Sequence, residues 1–181
     1  MTRDEALRIL ENAEQIYSAA EVTAAVSRVA GEVTTALAGC NPLVLAVMGG
    51  ATIFAGHLLP QLSFPLEYDY LHASRYGDAT AGGELAWIVE PRISVHGRTV
   101  LLVDDILDEG ITLAAIKQRL LGNGALACYT VVFTDKSIGH PKPIVADFVG
   151  LTLPNRYVFG FGMDIRGAWR NLPAIYALKN A

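Results

Sequence analysis

Six short apolar runs, separated by glycine-rich turns and helical stretches, constrain this chain most. They are Leu43–Met48, Leu66–Ala73, Glu84–Val89, Arg98–Val103, Ala125–Phe133 and Ile144–Gly150. The most apolar of them are continuous rather than alternating, which is the pattern of strands covered on both faces. Between the first two runs, Gly49-Gly50 opens a short apolar helix that ends near Pro60. After the fourth, Leu113, Ile116 and Leu120 line one face of another helix, and Gly122-Asn123-Gly124 stops it. Strands alternating with helices predict an α/β fold, with a mostly parallel twisted sheet flanked by helices. Ligands in such sheets bind beyond the carboxyl ends of the strands.

The segment ahead of this alternation reads as two helices. Thr2-x-x-Glu5 and Ser18-x-x-Glu21 each fit a capping box. Val22, Val26, Val29, Val33 and Leu37 then recur at helical spacing. No linker, repeat or low-complexity tract interrupts the 181 residues, so one domain is expected over 1–181. Its core would lie at about 40–150, with a small hood from the N-terminal helices and 151–181.

The net charge is −4, and no basic patch attracts nucleic acid or an anionic membrane. The N-terminus is charged where a signal peptide needs apolar residues, and no apolar run approaches the ~18 residues of a membrane span. Cys40 and Cys128 sit in or beside apolar runs and read as reduced core thiols, which points to the cytoplasm. The lack of CxxC and HExxH leaves a structural zinc site without support. His57, His72, His96 and His140 are scattered and form no nucleophile or ligand spacing.

The chemistry concentrates in Val100–Leu113, VLLVDDILDEGITL. Asp104-Asp105 follow the strand directly, and Asp108-Glu109-Gly110-Ile111-Thr112 lead into the helix. Four carboxylates within six residues repel one another, a cost that sugar hydroxyls or a nearby cation would offset. A loop with a central glycine entering a helix aims free amides at one spot, which suits a phosphate. The segment thus favours an anion at one end and hydroxyls or a metal at the other.

This segment closely resembles the phosphoribosyl-diphosphate signature of type I phosphoribosyltransferases. From about Asn41 to Leu178 the chain resembles the hypoxanthine-guanine members of that family. The resemblance implies that Asp104 and Asp105 hold the ribose hydroxyls. Asp108 would be the catalytic acid/base facing N7 of the purine. The backbone of Asp108, Glu109, Gly110, Ile111 and Thr112 would cradle the 5-phosphate. Glu109 stands where many members have a small hydroxyl residue, so its carboxylate is expected to turn outward. Gly49 and Gly50 occupy the pyrophosphate loop, where many members carry a Lys at the position of Gly49.

Ser74–Gly83 is rich in glycine and small polar residues and reads as a mobile loop. By resemblance its start, with Arg75 and Tyr76, begins a lid over the pyrophosphate. Lys136 would donate to O6 of the base, Tyr157 would stack on it, and Val158 would meet it through its backbone. Asp164 would lie near the purine, and near magnesium together with Asp104 and Asp105. Arg170 would bind pyrophosphate, a task suited to a guanidinium fork. The implied activity is phosphoribosyl transfer to hypoxanthine or guanine with magnesium as cofactor, in a homodimer or homotetramer. Alternatives are a nucleotide-binding regulator with little catalysis, and a transferase that prefers xanthine or a pyrimidine. A P-loop kinase or nucleotidase lacks its GxxxxGK[ST] motif.

Overall fold

The computed structural model describes residues 1–75 and 85–179. Both capping boxes form, and they open helices α1 (Arg3–Glu11) and α2 (Ala19–Leu37). Between them runs an unexpected strand, β1 (Ala13–Tyr17). Then come β2 (Leu43–Val47), α3 (Ala51–Leu58), β3 (Glu67–Arg75), β4 (Leu85–Val89), β5 (Thr99–Leu107) and α4 (Ile111–Gly122). The chain closes with β6 (Ala127–Lys136), β7 (Phe148–Leu153), β8 (Val158–Phe159) and β9 (Ile175–Leu178).

Six strands form one sheet in the order β4-β3-β2-β5-β6-β7. All neighbours are parallel except β4, which runs antiparallel to β3. The pleat sends alternate residues of each central strand into two cores. Val44, Ala46, Leu101, Val103, Val131 and Phe133 face α2 and α3. Leu43, Leu45, Val100, Leu102 and Val132 face Leu113, Ile116 and Leu120 of α4. Crossovers leave β2 and β5 in opposite directions along the sheet, so their carboxyl ends form a switch point that opens a crevice.

A second sheet, β1-β9-β8, draws on both ends of the chain and is antiparallel throughout. It stands where a hood was expected, but α2 is not part of it: its buried stripe packs on the large sheet. Among the described residues, no helix is long and apolar enough to cross a membrane.

Four sequence expectations are corrected here. The fourth strand does not end at Val103, because pairing with β6 continues through Leu107 opposite Asp135. Asp104 and Asp105 are therefore strand residues, not turn residues. The last strand of the large sheet starts at Phe148 rather than Ile144, since Pro141 and Pro143 deny 141–147 a regular ladder. Cys40 is exposed just after α2 and is no core thiol, whereas Cys128 is buried and burial pushes its thiol up to about 11. Ser74 and Arg75, expected to open a loop over Ser74–Gly83, belong to β3 instead, and residues 76–84 lie outside the described residues.

Candidate active site

The crevice is built from the β2–α3 turn, the end of β5 with the start of α4, the end of β6, and the 156–170 segment. Gly110 begins α4 with a φ of +77°, a left-handed conformation that glycine adopts without steric cost. No side chain caps this helix, and its first turn carries no acid. Its free amides therefore keep their attraction for an anion. They face a cavity of about 200 Å³ lined by Asp104, Asp108, Glu109, Gly110, Ile111 and Thr112. The Glu109 carboxylate leaves that spot and lies 3.5 Å from His140 Nε2 at the exposed surface.

A second cavity of about 200 Å³ adjoins it, sharing Ile106 and Asp108. Asp105, Lys136, Tyr157, Val158, Met163 and Asp164 complete its walls. Lys136 Nζ donates to Asp108 Oδ2 at 3.1 Å. Tyr157 is exposed with its ring at the cavity, and its hydroxyl donates to the Asp164 carbonyl at 3.3 Å. A further cavity of about 150 Å³, between Trp87, Glu90 and Arg119, contains none of the site residues expected from the sequence.

Asp104 and Asp105 point from opposite faces of β5, one into each cavity. Burial, reinforced by the neighbouring Asp105 charge, holds the Asp104 carboxyl well above the usual range. Burial also raises Asp105, while a hydrogen bond from Asp104 and the charge of Arg170 pull it the other way. The Asp105 carboxylate rests against Gly50, where an added Cβ would lie 1.9 Å from Oδ2. Gly50 is thus a close-approach glycine. Gly49 precedes it at the open surface, the Met48–Gly49 peptide is cis, and no side chain caps α3.

Arg170 donates to the Gly162 carbonyl and to Asp164 Oδ1, while Asp164 Oδ2 accepts from the Gly167 amide at 2.6 Å. Both oxygens of Asp164 are thus engaged within its own segment. Among the described residues no three His, Cys, Asp or Glu side chains converge on a ready metal cage, so Asp104, Asp105 and Asp164 do not form one. Arg75 ends β3 and Tyr76 lies outside the described residues, so the lid reading falls largely beyond them. Ile106 and Met163 also wall the second cavity, a role not foreseen for either; only an alternation count along a strand longer than expected could have singled out Ile106.

The phosphoribosyl transferase domain family matches residues 12–166. The hypoxanthine-guanine phosphoribosyltransferase of Bacillus subtilis is 34% identical over 167 residues, covering 92% of this chain and 93% of that protein. The chain belongs to the hypoxanthine-guanine phosphoribosyltransferase family. The bifunctional protein TilS/HprT of Listeria monocytogenes is 40% identical over 149 residues, or 82% of this chain. The match spans only 23% of that longer relative. A crystal structure of a hypoxanthine phosphoribosyltransferase from Staphylococcus aureus superposes with a TM-score of 0.89 at 25% identity, covering 98% of this chain and 97% of that one. The type I phosphoribosyltransferase fold expected from the sequence is the fold observed.

Proposed function

We propose that this phosphoribosyltransferase joins N9 of hypoxanthine or guanine to C1 of the ribose as the C1–O bond to pyrophosphate breaks, yielding IMP or GMP. The supporting observation is the pair of adjoining cavities on one strand end. One is floored by uncapped helix amides, and the other holds a lysine 3.1 Å from an aspartate. A nucleoside monophosphate has those two ends.

Each residue has a stated task in this reading. The amides of residues 109–112 and the Thr112 hydroxyl hold the 5-phosphate. Asp104 and Asp105 accept from the ribose hydroxyls. Tyr157 stacks on the base, and Val158 meets it through its backbone. Lys136 leaves Asp108 to donate to O6, which favours a 6-oxopurine over adenine, whose 6-amino group is itself a donor. The freed Asp108 carboxylate takes the proton from N7 as N9 attacks. Gly49 and Gly50 amides and the Arg170 fork, with Arg75 and Tyr76 from the lid side, receive the pyrophosphate.

Magnesium fits beside Asp104 and Asp105, because a nearby divalent cation would offset the burial that raises both carboxyls. It prefers one or two carboxylates with substrate oxygens, so no closed cage is required. When bound, the ion neutralises charge growing on the leaving pyrophosphate. Asp164 completes the acidic set through its contact with Arg170. We read the enzyme as a single cytoplasmic phosphoribosyltransferase domain that assembles as a homodimer or homotetramer, which sedimentation would check.

The deciding experiment supplies phosphoribosyl diphosphate, magnesium and one base at a time, and follows pyrophosphate release. Release is expected with hypoxanthine or guanine and not with adenine. Release with xanthine alone would reassign the base, and silence with every purine would leave a nucleotide-binding regulator. Asp108→Asn should keep the fold and lower turnover by about 10²–10⁴-fold, the usual worth of a general acid/base. Near-normal turnover in that variant would remove Asp108 from the mechanism.

A further inference from the structure

Lys142 lies between Pro141 and Pro143 in the connection from β6 to β7, where a lysine is expected to be solvated. Instead its side chain is only 9% exposed. Its ammonium donates to the Leu107 carbonyl at 2.7 Å, the Lys136 carbonyl at 2.6 Å and Asp135 Oδ1 at 2.5 Å. Those three bonds use all three donors of the group. Its stem also packs under the phosphate loop, with Cβ 3.6 Å from where a Cβ on Gly110 would stand.

The position of these acceptors gives the contact meaning. The β5–β6 ladder ends at Leu107 opposite Asp135. Leu107 immediately precedes Asp108 and the phosphate loop. Lys136 carries the side chain that reaches Asp108. Beyond that last rung the ladder no longer ties the end of β5 to β6, whose Lys136 is held on its other side by Leu153 of β7. A desolvated cation bonded to both, and paired with Asp135, takes over where the ladder stops.

We propose that Lys142 is a positioning residue that couples the phosphate cradle to the purine-reading end of β6, fixing the distance between the two cavities. It touches no substrate and acts through Leu107 and Lys136. This rests on the transfer reading above, because it assumes that one ligand bridges both cavities. A ligand bridging two subsites loses affinity when their spacing drifts, just as misplacement of reacting groups by ~1 Å can cost about 10²-fold in rate. A fragment confined to one subsite is indifferent to that spacing.

The test compares wild type, Lys142→Met and Asp135→Asn, each checked by thermal melting, in titrations with ribose 5-phosphate, guanosine and GMP. Lys142→Met should bind both fragments within about 2-fold of wild type and lose at least ~10-fold for GMP. Asp135→Asn keeps both carbonyl bonds and should show the same split at smaller size, which also serves if Lys142→Met does not fold. Equal losses for all three ligands would reduce Lys142 to a stabilising contact, and unchanged GMP affinity in a folded Lys142→Met would overturn the coupling. A wild type that binds none of the three overturns the transfer reading itself, an outcome distinct from either.

Discussion

Adjacent carboxyl groups at the end of a buried strand oppose the stability of the fold that holds them. Asp104 is raised first by burial and then by Asp105. The folded chain therefore binds that proton more tightly than the unfolded chain. Between the ordinary carboxyl range and the raised value, stability falls as pH rises. Asp104→Asn removes this component. Its melting midpoint should exceed that of wild type increasingly toward alkaline pH, by roughly 2–4 °C for each kcal/mol relieved at this chain length. Pyrophosphate release should fall in the same variant. A midpoint below that of wild type at every pH would contradict the electrostatic account.

Residue types were legible where chemistry and position coincide. Crowded acids after an apolar strand, and a glycine before a helix, announce an anion-and-hydroxyl site without any structure. The outward turn of Glu109 follows from the resemblance, which sets a phosphate where its carboxylate would be repelled, and that carboxylate lies beside His140. Lys142 gave no such sign. A lysine between prolines reads as surface, and only the tertiary fold brings Leu107, Asp135 and Lys136 within its reach.

At the scale of elements, buried strands and capped helices could be read because their signals are local. β1, β8 and β9 could not. Each is short and finds its partner far along the chain, as Ala13 does opposite Leu178. The end of β5 escaped for a related reason: acids look like a turn, yet pairing with β6 carries the strand past them. The β2–α3 turn gives a sharp test of this packing. Gly50→Ala would place a methyl inside the Asp105 carboxylate. On the proposed reading, kcat/KM for phosphoribosyl diphosphate should fall on the order of 10²-fold. In an Asp105→Ala background the same methyl should cost little more, because the atoms it meets are gone. Equal penalties in both backgrounds would mean that the glycine serves something other than close approach.

Across the whole molecule, the first helix is fastened to the far end of the chain. Trp169 holds a φ of +70°, costly for a bulky residue, and its indole donates to the Ala6 carbonyl at 2.9 Å. The next residue is Arg170, so α1 is joined to the loop that presents that guanidinium. Trp169→Phe keeps an aromatic, though smaller, ring and loses the bond. Stability should drop by about 1 kcal/mol, and amide exchange should quicken in α1. Unchanged exchange there would show the bond to be incidental.

The alternation of β5 carries one more consequence. Asp104 meets one cavity and Asp105 the other only because consecutive residues of a strand face opposite ways. Parity is therefore part of the site. Adding a single residue between Val103 and Asp104 would leave the composition almost untouched yet exchange the two faces. A two-residue change would restore the facing but displace the helix amides by about 6.6 Å, two strand rises. The segment is constrained in length as tightly as in identity.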